Sequence, residues 1–222
     1  DLDVRESKSE EGTRLVVGAQ SLVYTELLPD AIAGVARIAV AGKVPPGALR
    51  RVIDRLLAKF RDLVEYRVIW APGNVVELAR ALGAIAMRSE TPEEERIRIA
   101  DALLRNIENL ATARIASEVL SGEGRTKRWK ELALDCAKRL FGLLERASFQ
   151  ELEDRRAVVA SLGRLAVGKS LDDAFRERAI EALLGEYRPE FAEGRQVMER
   201  LASSKTVPKD FRRRIESLLR RA

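Results

Sequence analysis

The chain of 222 residues contains no histidine. A Ser–His–Asp triad, a Cys–His pair, a zinc site built on imidazole and a histidine general base are all excluded by that absence. One cysteine, Cys136, rules out a framework of intramolecular disulfides. With 14 Gly, 7 Pro and 5% aromatic residues the chain is also poorly supplied for an all-β sandwich or barrel. Long apolar runs are missing too. Residues from Leu15 to Thr25 carry no charge, but Glu26, Asp30 and Arg37 follow, so the stretch is too short and too interrupted to cross a bilayer. It lacks the basic start and cleavage site of a signal peptide. The chain opens on Asp1 rather than Met, which suits either a trimmed chain or a processed, exported one; a cytoplasmic setting is the default expectation.

What is present favours helix. Ala 30, Leu 29, Glu 24 and Lys+Arg 40 together exceed half of the chain, and these are the strongest helix formers. Charged residues reach 34%, yet 46% apolar content is enough to build a core. The net charge of +5 is concentrated at one end. Residues 187–222 hold 10 Lys/Arg against 5 Asp/Glu, so residues 1–186 are balanced.

Start and stop signals divide the chain into about eleven short helices with no convincing strand. Asp30 after Pro29 suits the cap of a helix over roughly 31–41. Pro45 and Pro46 suit the opening of the next, with Leu49, Ile53, Leu56, Phe60, Leu63 and Val64 in a 3.6-residue period to about Val68. Asn74 with Glu77, Ser148 with Glu151 and Ser170 with Asp173 have capping-box spacing, and Thr91-Pro92-Glu93-Glu94 adds a proline at the first helical position. Pro189 and Pro208 open the last two helices. The stretch from Pro92 to Leu120 exceeds an ordinary helix and is expected to break near Asn106–Asn109.

A repeat runs through these helices. Arg51-Val52-Ile53-Asp54-Arg55-Leu56-Leu57, Arg98-Ile99-Ala100-Asp101-Ala102-Leu103-Leu104, Arg178-Ala179-Ile180-Glu181-Ala182-Leu183-Leu184 and Arg213-Arg214-Ile215-Glu216-Ser217-Leu218-Leu219 share one pattern: Arg, a small or apolar residue, an acid, then Leu-Leu. Upstream of each lies an aliphatic residue followed by Ala, at Ile38-Ala39, Ile85-Ala86, Leu165-Ala166 and Leu201-Ala202. A weaker fifth copy has Ile115-Ala116 and Leu143-Leu144, with Lys138 in the Arg column and Phe141 in the acid column. On a helical wheel Ile180, Leu183 and Leu184 define a buried face, while Arg178 and Glu181 fall on the far side, about 60° apart. Each unit therefore reads as a helix pair that cannot bury its apolar face alone and must stack on its neighbours.

These residues resemble the HEAT repeats, helical hairpins stacked into a right-handed α-solenoid. The likeness is closest in Leu162-Gly163-Arg164-Leu165-Ala166 followed by Asp172-Asp173-Ala174-Phe175-Arg176-Glu177-Arg178-Ala179-Ile180-Glu181-Ala182-Leu183, and it covers about residues 30–220. The resemblance implies an all-α solenoid of about five helix pairs without a β-sheet. It also implies that Asp172 or Asp173 and Arg176 pair between neighbouring repeats, a role that Arg50 and Arg212 suit as well. It carries no catalytic residue. The expected organisation is a flexible segment over 1–11 and a single helical-repeat domain over 12–222, with 12–28 either a leftover second helix or an N-terminal cap.

The functional expectation follows from the exposed columns Arg51/Asp54, Arg98/Asp101, Arg178/Glu181 and Arg213/Glu216. They read either as i,i+3 ion pairs on a solvated face or as a ridge that sets polarity and register for a partner. Each Arg travels with an acid, so the ridge is nearly neutral and a poor phosphate track. The expected function is a non-enzymatic protein-binding scaffold or adaptor that needs no cofactor or metal. The alternative is nucleic-acid binding by the basic patch of Lys205, Lys209, Arg212, Arg213, Arg214, Arg220 and Arg221. Some HEAT-like proteins are DNA glycosylases, but such sites want clustered aromatics, and Trp70 and Trp129 are isolated. Cys136 has core spacing between Leu132 and Leu140. Ser121-Gly122-Glu123-Gly124-Arg125-Thr126-Lys127 lacks the ending and the preceding strand of a P-loop. Glu93-Glu94-Glu95 suits the positive end of a helix better than a metal, because adjacent helical residues fan apart.

Overall fold

A computed structural model describes residues 6–9, 12–15, 34, 41, 44–65, 72–145, 152–188 and 190–221. Among them lie nine helices: α1 (Pro46–Glu65), α2 (Pro72–Ala86), α3 (Glu93–Leu104), α4 (Leu110–Ser121), α5 (Lys127–Glu145), α6 (Leu152–Val167), α7 (Asp173–Glu186), α8 (Ala192–Ser203) and α9 (Lys209–Arg221). The helix expected over 31–41 and the Ser148/Glu151 box fall mostly or wholly outside the described residues. The expected break near Asn106–Asn109 is a turn, closed by Asn109, whose side chain accepts from Thr112 N at 3.1 Å and caps α4.

Three caps differ from their sequence reading. Asn74 does not cap α2 but lies inside its first turn, because the helix already begins at Pro72. At α7 the cap is Asp172, accepting from Phe175 N at 2.8 Å, and not Ser170, whose hydroxyl is buried and engaged elsewhere. At α3 Thr91 does not cap. Its hydroxyl donates to Ile85 O at 2.6 Å and so ties the end of α2 to the turn, and α3 has three acids, Glu93, Glu94 and Glu95, in its first turn, at the positive end of the helix.

The helical body carries no β-sheet among the described residues. Ahead of it, Glu6–Ser9 (β1) and Gly12–Leu15 (β2) form one antiparallel hairpin with Glu6 opposite Leu15 and Ser9 opposite Gly12. This hairpin straddles the boundary expected at residues 11 and 12. Its strands are short and polar, so no alternation announced them.

Each helix packs mainly on those one and two places away in sequence. Helices α2, α4, α6 and α8 touch in that order, as do α1, α3 and α5. The first row holds the aliphatic-Ala stripe: Ile85, Ala86, Ala116, Leu165, Ala166 and Leu201 are all buried. The second row supplies Ile53, Phe60, Leu103, Leu140, Ile180 and Leu183, also buried. Of the Leu-Leu pairs, Leu56, Leu103, Leu104, Leu143 and Leu183 are buried. Leu57, Leu144, Leu184, Leu218 and Leu219 are partly covered.

Two glycines set the spacing within the first row. A Cβ on Gly83 of α2 would lie 2.4 Å from Ile115 Cγ2 of α4, and one on Gly163 of α6 would lie 2.6 Å from Val197 Cγ1 of α8. Both belong to a Leu-Gly step, Leu82-Gly83 and Leu162-Gly163, where the missing side chain admits the neighbouring helix.

Candidate interaction surfaces

The charged columns lie on the outer face of the second row, as the wheel requires, but their partners differ from the expectation. None of the four i,i+3 pairs forms among the described residues. The acids and guanidinia instead connect successive helices. Arg98 of α3 donates to Asp54 of α1 at 2.6 Å, and Arg128 of α5 to Asp101 of α3 at 2.9 Å. Arg178 of α7 reaches Glu145 of α5 at 3.3 Å, and Arg214 of α9 holds both oxygens of Glu181 of α7 at 2.5 and 3.0 Å. Arg178 also lies 4.2 Å from the centre of the Phe141 ring. Arg213 sits 3.9 Å from Asp210 in its own helix, and Arg51 and Glu216 are exposed.

The ladder shifts the titration of its members. The hydrogen bond from Arg214 holds the Glu181 carboxyl below the usual carboxylate range, and the same bond raises Arg214; the bond to Asp54 raises Arg98. Arg98 has a second role. It donates at 2.7 Å to Glu95, a buried carboxylate that also has Arg50 at 3.6 Å.

Between α1 and α3 the face opens into a cleft of about 500 Å³. Its walls combine Leu57, Phe60 and Val64 with alternating charges, including Asp54, Arg61, Arg98 and Asp101. A second cleft of about 460 Å³ follows between α3 and α5, lined by Arg105, Arg128, Glu131, Asp135 and Arg139 among others. Arg128 and Glu145 were not singled out in the sequence, and Arg214 was counted only with the basic patch. Glu145 and Arg128 belong to the weak fifth copy, whose insertion hides its register. Arg214 stands beside the column position that Arg213 occupies.

The C-terminal basic block is divided by its partners. Lys205 lies in the turn before α9 and Arg214 is engaged with Glu181. Arg212 is partly buried, and Arg213, Arg220 and Arg221 share a shallow depression with Glu216. Lys209 is exposed at the first residue of α9.

The pairing between repeats implied for Arg176 is also corrected. Arg176 is buried and bonds Asp173 of its own helix, Leu171 O at 2.7 Å and Gly168 O at 3.5 Å. It therefore closes the turn between α6 and α7. The buried link between units in the first row is Arg164 of α6, which pairs with Glu193 of α8. Arg114 of α4 reaches the same carboxylate at 3.4 Å, and Arg200 lies 3.8 Å from Glu118. Burial pushes the Arg164 guanidinium down to about 10, with Arg114 adding repulsion and Glu118 opposing it, so it stays charged at neutral pH.

Cys136 is fully buried in α5, and burial pushes its thiol up, away from the thiolate that a nucleophile requires. Trp129 is also fully buried. Among the described residues no group of three or more Cys, Asp or Glu is placed to hold a metal, and no helix is long and apolar enough to cross a membrane. No protein-family model, curated protein or solved structure matches the chain.

Proposed function

We propose that the protein is a non-enzymatic scaffold that holds a protein partner on the face of its second-row helices, α1, α3, α5, α7 and α9. In this reading the helices form a right-handed α-solenoid of about five HEAT-like pairs, each buried by the next. The observation that carries it is the ladder of Asp54 with Arg98, Asp101 with Arg128, Glu145 with Arg178 and Glu181 with Arg214. Its rungs tie side chains that would otherwise be mobile, so a docking partner meets a preorganised, nearly neutral surface and less entropy is lost on binding. The mixed charges and apolar patches of the α1/α3 cleft suit a polypeptide that offers both.

Two measurements test this. Affinity capture at two salt concentrations, with the natural chain and with a variant carrying R128E, R178E and R214E, should return a partner that the variant loses. A partner kept with unchanged affinity and salt dependence by the variant removes the assignment. Small-angle scattering tests the architecture. A compact globule of this length has a radius of gyration of about 17 Å, and a value at that figure argues against a solenoid.

A further inference from the structure

A second surface lies at the edge where first-row helices turn into second-row ones. The turns after α4, α6 and α8 come together in one cleft of about 640 Å³. Each turn contributes one exposed cation: Arg125, Lys169 and Lys205. Among the described residues none of these three makes an ion pair, in contrast to Arg98, Arg128, Arg178 and Arg214 on the neighbouring face. The one acid lining the cleft is Glu123, so its walls carry an excess of two positive charges.

The cleft is stiff. Thr206 Oγ1 donates to Val167 O at 3.2 Å, and Ser170 Oγ accepts from the buried Trp129 indole at 3.0 Å. A Cβ on Gly168 would lie 2.7 Å from Ser121 O, so the turns after α4 and α6 are in direct contact. The amides of Arg125 and Thr126 are already taken by the Glu93 carboxylate, each at 2.9 Å. What this cleft offers a ligand is therefore charge. The side chains of Arg125, Lys169 and Lys205 are its donors, and aromatic residues are absent from its lining, so it has nothing on which bases could stack.

The sequence adds that the cation belongs to the repeat. Gly124-Arg125-Thr126, Gly168-Lys169-Ser170 and Ser204-Lys205-Thr206 place one cation in the corresponding turn of three successive units. A charge repeated once per unit along a row suits a ligand that is itself linear and regularly charged. We infer that the turn edge formed by Arg125, Lys169 and Lys205 binds the phosphodiester backbone of a single nucleic-acid strand, independently of base sequence. This site is separate from the second-row face, and it stands whether or not that face holds a protein.

Binding of a fluorescein-labelled twelve-residue thymidine oligonucleotide to the full chain, followed by fluorescence anisotropy across a salt series, tests the inference. Three phosphate contacts on a single strand predict a slope of about −2 in log K against log salt, or roughly a 16-fold loss of affinity for a fourfold rise in salt. The variant R125A/K169A/K205A should lose that slope, and R125K should retain it. R55A/K138A, which removes two exposed cations of α1 and α5 that lie outside the cleft, should bind as the natural chain does. The three cations have no ion-pair partner to lose, and a thermal melt verifies that the triple variant is folded. No binding at low salt, or a triple variant that keeps the full slope, overturns the proposal. So does an oligonucleotide that fails where a phosphoserine peptide binds through the same three residues, which would assign the edge to a protein ligand.

Discussion

Arg98 reaches back 44 residues to Asp54 at 2.6 Å, while Asp101, three places on in its own helix, is held from the following helix by Arg128 at 2.9 Å. The bond to Asp54 is half exposed and contributes on the order of 0.2–1 kcal/mol. The bond to Glu95 is different, because that carboxylate side chain is only 7% exposed and would be left with Arg50 at 3.6 Å. D54A is therefore expected to cost little and R98A about 1–3 kcal/mol, the range for stranding a buried polar group. Urea denaturation of the two variants decides it. Equal losses would mean that Glu95 does not depend on Arg98.

This pair also marks where the sequence was legible. Helical periodicity placed Arg98 and Asp101 correctly on the outer face, because the wheel depends only on geometry within one helix. It did not give their partners, since the distance to the next helix depends on the small residues between rows. The Leu-Gly steps at Gly83 and Gly163 are part of that spacing, and their role is visible only once Ile115 and Val197 are in place. The turn cleft was hidden for the same reason. Arg125, Lys169 and Lys205 stand 44 and 36 residues apart in the chain, and stacking alone brings them together.

The glycines in the helices separate into two kinds with opposite expected responses to alanine. G83A and G163A gain helix propensity of up to about 1 kcal/mol. They also drive a methyl into Ile115 or Val197, which costs about 1–3 kcal/mol. At Gly142 of α5 and Gly185 of α7 nothing lies within 4 Å of an added Cβ, so G142A and G185A should stabilise the fold. Chemical denaturation of the four variants checks the signs. Recovery of G163A by V197A would place the strain between α6 and α8.

Glu93 gives a pH dependence of defined sign. The backbone N–H and then the hydroxyl of Thr126, with the Arg125 N–H, hold its carboxyl below the ordinary value of 4.5. A carboxyl lowered on folding contributes stability that is fully present above the unfolded value and is lost as pH falls through the folded one. The melting temperature of E93Q should therefore lie below that of the natural chain at neutral pH. The gap should close as the pH is taken down past 4.5. A gap independent of pH would show that the amide is excluded for reasons of shape rather than charge.

Trp129 and Ser170 link two turns that are distant in sequence. The indole N–H at the start of α5 donates to Ser170 Oγ between α6 and α7 at 3.0 Å, and both residues are buried. S170A removes the acceptor and leaves the indole N–H dry, at a cost of about 1–3 kcal/mol. W129F also loses the hydrogen bond, but it removes the donor and leaves space beside Gly124, which has the indole where a Cβ would stand. The two losses should not add, because once the indole is gone Ser170 has no bond left to break. A double-mutant cycle by urea denaturation should return a coupling of about 1 kcal/mol, and strict additivity would mean that the contact seen here carries no energy of its own.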